Sequence, residues 1–317
     1  MSFQTQDNSN IIGIDVSKDK LDIYDLKAQK PLVIKNTKAG IKGYIKKILS
    51  KKNNVLIIME NTGGYEALAR NLFNEASYNV HIAHSTRIHY FAKQKGFFAK
   101  TDAIDAKIIS EYGAQEAVQP TEPMSKKAIE LKELSSRRAQ LIEILTAEKC
   151  RVKPHQSAEM NRSIKRHIKH LETEITLLDN KISKQVSADK ELHEKAQRMQ
   201  TVKGVGEKTA HMLVSLLPEL GSLNRAEIAC LCGVAPKNKD SGTKTGKRHI
   251  NGGRFAVRKG LYMVAVSAST HNPKMMDYYQ HLKAKGKESK VAITAVMRKI
   301  IITLNAMIRD KKDWCYA

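Results

Sequence analysis

The sequence predicts an α/β domain with a mixed sheet, then a long helical arm, then a mainly helical C-terminal region. Three observations predict this order. The first 85 residues hold short, β-branched apolar runs separated by turn residues and helical patterns. Residues 126–196 are charged, with long apolar side chains at heptad spacing. The remainder alternates apolar helical stretches with one basic, glycine-rich segment. The boundaries this implies are 1–125, 126–196 and 197–317.

Ile11 to Val16 reads as a buried strand, Ser17 to Lys20 as a polar turn, and Leu21, Ile23 and Leu26 as one side of a hairpin arm. A third strand is expected over Pro31 to Asn36. Ile41, Tyr44, Ile45, Ile48 and Leu49 have helical spacing. Val55 to Met59 is a continuous apolar run, as in a strand covered on both faces. It ends at Glu60, followed by the turn Asn61 to Gly64, with Thr62 as an expected helix cap, then by a helix carrying Leu68, Ala69 and Leu72. Tyr78 to Ala83 gives the last strand. An antiparallel meander followed by crossovers makes a mixed sheet.

Asp15 stands inside the first apolar strand, where an unpaired carboxylate costs several kcal/mol. It is either a strand-end acid at the water boundary or a metal ligand. Thr101 is a candidate cap for a helix beginning with Asp102, and Asp105 lies three residues on, so both carboxylates share one face of the first turn. They read equally as capping charges. Asp19, Asp22, Asp25, Glu66 and Glu111 are rival acids, of which Asp22 and Asp25 are expected to face solvent.

In the arm, Ile168, Leu171, Ile175, Leu178 and Ile182 form a seam, with a weaker one at Leu134, Leu141 and Leu145. Two antiparallel helices reversing near Pro154 to Ser163, used for self-association, fit this pattern; a helical linker packing within its own chain fits it too. Beyond it, Thr201 to Ala210 is similar to the hairpin of a helix-hairpin-helix module. There Gly204 and Gly206 would let backbone N–H groups reach a phosphate beside Lys203 and Lys208, although a plain helix connector remains open.

Lysines and arginines outnumber acids by 23 charges, a balance expected for a nucleic-acid or anionic-membrane partner. No run is expected to approach the ~20 apolar residues of a membrane span. No secretory pattern is seen, and the scattered Cys150, Cys230, Cys232 and Cys315 fit a reducing cytoplasm, with Cys230 and Cys232 as core residues. The segment from Lys237 to Lys259 is the most basic. Lys237, Lys239, Lys244, Lys247, Arg248, Arg254, Arg258 and Lys259 face one acid, Asp240, among four glycines. Such a loop can follow a phosphate backbone. Ser241 begins it beside Gly242. It is either a turn serine or a nucleophile whose alkoxide the positive charge would stabilise.

Asp15, Glu60, Asp102 and Asp105 follow the layout of the RNase H/RuvC-like nuclease fold, in which such acids hold two Mg²⁺ ions that clamp the attacking and leaving oxygens. The runs IGIDVSKDKLD, MENTGGYE and FAKTDAIDAKIIS closely resemble DEDD-type insertion-sequence transposases. QTVKGVGEKTAHMLVSLLPEL and RAEIACLCGVAPKNKDSGTKTGKRHINGGR resemble the C-terminal domain of the same family, which includes the bridge-RNA-guided recombinases of the insertion sequence one-ten class and the Piv-type DNA invertases. The resemblance implies that the four acids are a Mg²⁺ site and that Ser241 joins DNA as a phosphoserine. It also implies that the arm mediates a homo-oligomer, a dimer or a tetramer on DNA, that a non-coding RNA pairs with donor and target DNA, and that the protein works at the nucleoid. Two other readings stand beside it: a metal-dependent nuclease of branched DNA using water as nucleophile, and a non-catalytic nucleic-acid-binding protein.

Overall fold

The computed structural model describes residues 10–51, 54–97, 102–116, 118–154, 157–238, 241, 246 and 248–315; the side chains of Asp102 and Ala103 are outside this set. Its contacts divide into two compact units, residues 1–124 and 125–317.

The first unit is built on a five-stranded sheet. β1 (Asn10–Val16), β2 (Lys20–Asp25) and β3 (Lys30–Lys35) form the antiparallel meander, and β4 (Val55–Glu60) and β5 (Asn79–Ala83) extend it in parallel, in the order β3-β2-β1-β4-β5. The polar turn closes through Ser17, whose amide donates to the Lys20 carbonyl at 3.0 Å. β3 is the edge, exposed along most of its length, and Pro31 with the flanking Lys30 and Lys35 discourages further strand pairing there.

One sheet face carries Ile12, Ile14, Leu21, Ile23, Ile57 and Met59. It is covered by α1 (Lys38–Lys47) and α2 (Glu66–Glu75), with Phe73 fully buried between them. The other face is covered by α3 (Ser85–Gln94) and α4 (Asp102–Gln115) through Ile11, Ile58, Ile88, Phe91, Ile108, Ile109 and Tyr112. Two apolar layers explain why β4 is apolar from Val55 to Met59. α3 forms because Ile88 and Phe91 supply a buried stripe and His84 caps it, accepting from Thr86 N. Thr101 lies outside the described residues.

The second unit begins with α5 (Lys126–Arg151) and α6 (Ala158–Ala188), packed antiparallel. Leu141, Leu171 and Ile175 bury together with Leu145 and Leu178 beside them. Leu131, Ile182 and Val186 instead join the main helical core. That core is completed by α7 (Lys190–Gln200), α8 (Glu207–Leu216), α9 (Arg225–Leu231), α10 (Phe255–His271), α11 (Pro273–Ala284) and α12 (Ser289–Asp310). Between α9 and α10, β6 (Pro236–Lys237) and β7 (His249–Ile250) form a short antiparallel ribbon.

Two expectations are corrected here. Cys232 is fully buried, and burial pushes its thiol up to about 12, but Cys230 is exposed because the short α9 turns only one of the pair inward. Among the described residues one helix, α12, is long and apolar enough to cross a membrane, although no such run was expected; 56% of its apolar window is buried inside the protein. Ala292, Val296, Ile300, Ile301 and Leu304 pack in the core, so the apolarity of α12 follows from burial in the second unit.

Candidate active site

Strand register sets the first group of acids. β1 pairs in parallel with β4, Gly13 beside Ile58 and Ile14 beside Met59. The next pair in that register brings Asp15 beside Glu60. Period-two alternation keeps both acids on the face that α4 covers, because Gly13 and Ile58 lie on it. α4 is pressed onto β1 at Gly13. A Cβ there would stand 2.2 Å from the Ala106 carbonyl oxygen and 2.4 Å from the Ser110 nitrogen. At Gly113 a Cβ would meet Ile58 at 2.6 Å, so glycine permits close contact at a second turn of the same helix.

This packing carries the start of α4 to the strand ends. Asp105 is half-buried, and the buried Ile109 and Tyr112 follow it at four and seven residues, which puts it on the sheet-facing stripe. Asp102 is the first residue of α4. Asp15 and Asp105 both have interaction partners in the fold. Among the described residues no three His, Cys, Asp or Glu side chains are placed to hold a metal ion.

The rival acids sort by what they touch. Asp19 is exposed at the hairpin tip. Asp22 and Asp25, expected to face solvent, are 6% and 9% exposed. The reason is that β2 is an interior strand with helices on both sides. Asp25 accepts the Ala28 amide at 2.9 Å and closes the following turn. Asp22 stands directly opposite Asp15 in the β1–β2 register. Its Oδ2 is 3.1 Å from the Lys20 ammonium but has no well-aligned hydrogen bond. A second carboxylate thus faces the first across the ladder, and the Lys20 ammonium, which also donates to Asp22 Oδ1 at 3.4 Å, compensates it. Glu111 pairs with Lys107 at 3.8 Å.

Glu66 has another role. Thr62 is not the cap of α2; Tyr65 holds that position with no side-chain bond. Instead the Glu66 carboxylate reaches back to the Gly64 amide at 2.8 Å, the Thr62 hydroxyl at 3.0 Å and the Thr62 amide at 3.3 Å. Burial pushes this carboxyl up, but those hydrogen bonds outweigh it and hold it below the usual value. The turn leaving Glu60 is also tied by Asn61, whose amide donates to Ala83 O at 3.0 Å, and by Ser85, whose hydroxyl donates to Asn61 O at 2.9 Å. Glu66 therefore positions the segment after Glu60. Its signal in the sequence was an acid in the first turn of a helix after a Gly-Gly pair.

Ser241 belongs to the second unit, between the two ribbon strands, and is exposed. Lys239, Lys244 and Lys247 lie outside the described residues, as does Asp240. The base of the loop is pinned. Gly233 and Gly253 meet so closely that a Cβ on Gly253 would lie 2.2 Å from Gly233 N and one on Gly233 2.2 Å from Gly252 O. Both have positive φ, 67° and 70°. The Arg254 amide donates to Leu231 O at 2.8 Å, and its guanidinium grips Glu219 at 2.5 and 2.6 Å and Leu216 O at 2.7 Å. Arg258 donates to Gly252 O at 2.8 Å and stacks on Phe255.

Several basic residues picked from the sequence are thus engaged inside the fold. Arg254 and Arg258 clamp the loop base, Lys259 lies 3.6 Å from Glu143, and Lys208 lies 2.8 Å from Asp179. Local charge gave no hint of these acids, which come from distant helices. Gly204 has φ +104°, and a Cβ there would meet Ala268 at 2.9 Å; its glycine serves packing against α10. Gly206, by contrast, has open space around its Cα and caps α8. Lys203 lies in the same turn and has an interaction partner. Lys237 and Arg248 are exposed on the ribbon.

A family model described as Transposase, for DEDD transposases of the IS110 type, matches residues 12–156. A second, described as Transposase IS116/IS110/IS902 family, matches residues 196–280. The pilin gene-inverting protein of Moraxella bovis is 30% identical over 263 residues, covering 81% of this chain and 81% of its own length. The chain belongs to the IS110 family of transposases. The pilin gene-inverting protein of Moraxella lacunata shows the same identity and coverage. An uncharacterized insertion element IS110 protein of Streptomyces coelicolor is 30% identical over 128 residues, 40% of this chain and 32% of its own length. The first matched segment of this family member contains Asp15, Glu60, Asp102 and Asp105, and the second contains Ser241.

Proposed function

We propose that the chain is a DNA recombinase that cuts, exchanges and rejoins strands through Ser241, with Mg²⁺ at the four acids. The observation that carries this is the placement of Asp15 and Glu60 on one sheet face under α4, whose first turn bears Asp102 and Asp105. The donors are all hard carboxylate oxygens, the chemistry that suits a divalent cation. When bound, Mg²⁺ would polarise the scissile phosphate and neutralise developing charge.

The chemistry asked of the chain is a phosphoryl transfer. Ser241 Oγ loses its proton to water and bonds to phosphorus, the bond from phosphorus to the leaving strand oxygen breaks, and that oxygen leaves as a hydroxyl after protonation. A hydroxyl from another strand then attacks the phosphoserine, Oγ leaves, and the phosphodiester is restored. No energy source is required, because one phosphoester replaces another at each step.

The test is direct. Wild-type protein incubated with Mg²⁺ and labelled donor DNA is expected to yield a protein–DNA adduct that survives denaturation. Ser241→Ala is expected to lose it entirely, and Asp15→Asn or EDTA to reduce it at least a hundredfold. Cleavage by Ser241→Ala without an adduct would instead identify a nuclease that uses water. Donor and target DNA are the substrates on this reading. Guidance by a non-coding RNA of the element, assembly as a dimer or a tetramer through α5 and α6, and action at the bacterial nucleoid complete it. Inversion of a DNA segment is the second outcome of the same chemistry, favoured by the relatives that are pilin gene-inverting proteins.

A further inference from the structure

A groove of about 1470 Å³ runs along α12 from the feet of the serine-bearing ribbon. Pro236, Arg248, His249 and Ile250 of the ribbon line one end, and Lys290, Thr294, Arg298 and Ile302 follow along α12. These helix positions are four apart and form one stripe that runs from the exposed Lys290 past Thr294 and the exposed Arg298 to Ile302, which packs against the core. Lys287, Arg225 and Lys312 add positive charge at the rim. The acids in the lining are Glu288 and Asp310, and Asp310 is paired with Arg309 at 2.8 Å. Lys287, Lys290 and Arg298 are exposed.

Val291, Ala295 and Ile302 of α12 make the floor apolar, and beside them the Lys299 ammonium lies over the ring of Tyr278 from α11 at 4.3 Å. Cationic side chains beside an apolar floor match a strand whose phosphates lie outward and whose bases turn in. A duplex keeps its bases paired and stacked inside, away from such a floor. α12 also lies beyond the residues matched by either family model.

We infer that this groove holds an unpaired stretch of the DNA strand adjoining the phosphate that Ser241 attacks. This deepens the proposed reaction and rests on it for the link to Ser241, but not for the binding itself. It supplies a reason for the ribbon to sit where it does. A strand laid along α12 leaves the groove at Arg248 and His249 and passes the exposed Ser241.

Full-length Lys290→Ala/Arg298→Ala protein serves as the test, with oligothymidylate, a duplex of equal length and oligouridylate as probes, each titrated over a range of salt. The unpaired DNA is expected to bind about tenfold more weakly than to wild type, with the slope of log K against log salt reduced by about 1.4, two lost phosphate contacts. Duplex affinity and melting temperature are expected to be unchanged, both side chains being exposed. A strand carrying 5-iododeoxyuridine is expected to photocrosslink to Tyr278. Unchanged affinity and slope for the unpaired DNA, an equal loss on the duplex, or tighter binding of the RNA probe would each overturn the inference. If Ser241→Ala retains the adduct while the groove variant loses unpaired DNA, the reaction reading fails and the groove stands. If Ser241→Ala abolishes the adduct and the groove variant binds normally, the groove fails and the reaction stands.

Discussion

The acid-bearing face of the first unit and the serine-bearing ribbon of the second solve the same positioning problem by different means. In the first, position comes from register: Asp15 and Glu60 follow the last paired residues, Ile14 and Met59, of adjacent strands, and α4 is locked over β1 at Gly13. In the second, Ser241 stands on a loop whose ribbon is only two residues per strand. The base of that ribbon is fixed from below, by the Gly233–Gly253 contact and by Arg254 and Arg258. A ladder spreads error over many bonds, whereas a pinned loop depends on a few contacts. The acid face should therefore fail as a unit, and the ribbon contact by contact.

The largest effect is expected at Gly13. Gly13→Val inserts branched carbons where backbone atoms stand at 2.2 to 2.4 Å, so α4 must move away from β1. A loss of roughly 3 kcal/mol or more is expected, seen as a lower melting temperature and early proteolysis within residues 10–116. Gly253→Ala comes next. Its positive φ costs ~1–2 kcal/mol for a residue with Cβ, and the Cβ meets Gly233 backbone at 2.2 Å. Adduct formation should fall sharply while the first unit keeps its melting behaviour. Equal damage to both units by either variant would erase the distinction.

What could be read from the sequence follows the same division. The sheet was legible because Ile12, Ile14, Ile57 and Met59 obey period two and because turn residues bound each strand. The acids were legible as polar interruptions of that pattern. Asp22 was misjudged because a polar–apolar alternation looks half-buried when read along one strand; the α4 layer that buries its other face comes from eighty residues away. The ribbon basics were legible only as charge. Glu219 holds Arg254 across thirty-five residues, and Asp179 holds Lys208 across α6 and α8, so the sequence could not tell scaffold arginines from exposed ones. The basic stripe of α12 was hidden by the apolar stripe of the same helix.

The Arg254 clamp offers a sharper version of the comparison. Its pair with Glu219 is about one-third exposed on both sides, so the bond is partly screened. Arg254→Ala should cost about 1–3 kcal/mol, since it leaves Glu219 and the Leu216 carbonyl without a donor. Because the loop depends on few contacts, the catalytic loss should exceed the stability loss: adduct yield at a temperature well below unfolding should drop at least tenfold. Arg254→Lys keeps the charge but not the fork, and is expected to recover stability more than yield. Full recovery of yield by Lys would show that charge, not geometry, places the loop.

The smallest effect distinguishes the two units by acid. In the first, Glu66 ties the turn after Glu60; in the second, Asp179 joins Arg138 of α5 to Lys208 of α8. Burial raises the Asp179 carboxyl, but hydrogen bonds from Arg138 and Lys208 outweigh it and hold it below its ordinary value. Both groups are thus depressed in the folded state, and the unfolded chain takes up their protons first as pH falls. The stability each contributes is complete above the unfolded values, 4.5 for Glu66 and 3.8 for Asp179, and declines as pH falls through those values toward the folded ones. Glu66→Gln should flatten the acid limb of unfolding for residues 10–116 only, and Asp179→Asn that for 125–315 only, by unit-resolved hydrogen exchange between pH 5 and 3. If either substitution flattened both limbs, the units would be unfolding together, and the contrast between ladder and pinned loop would have no energetic basis.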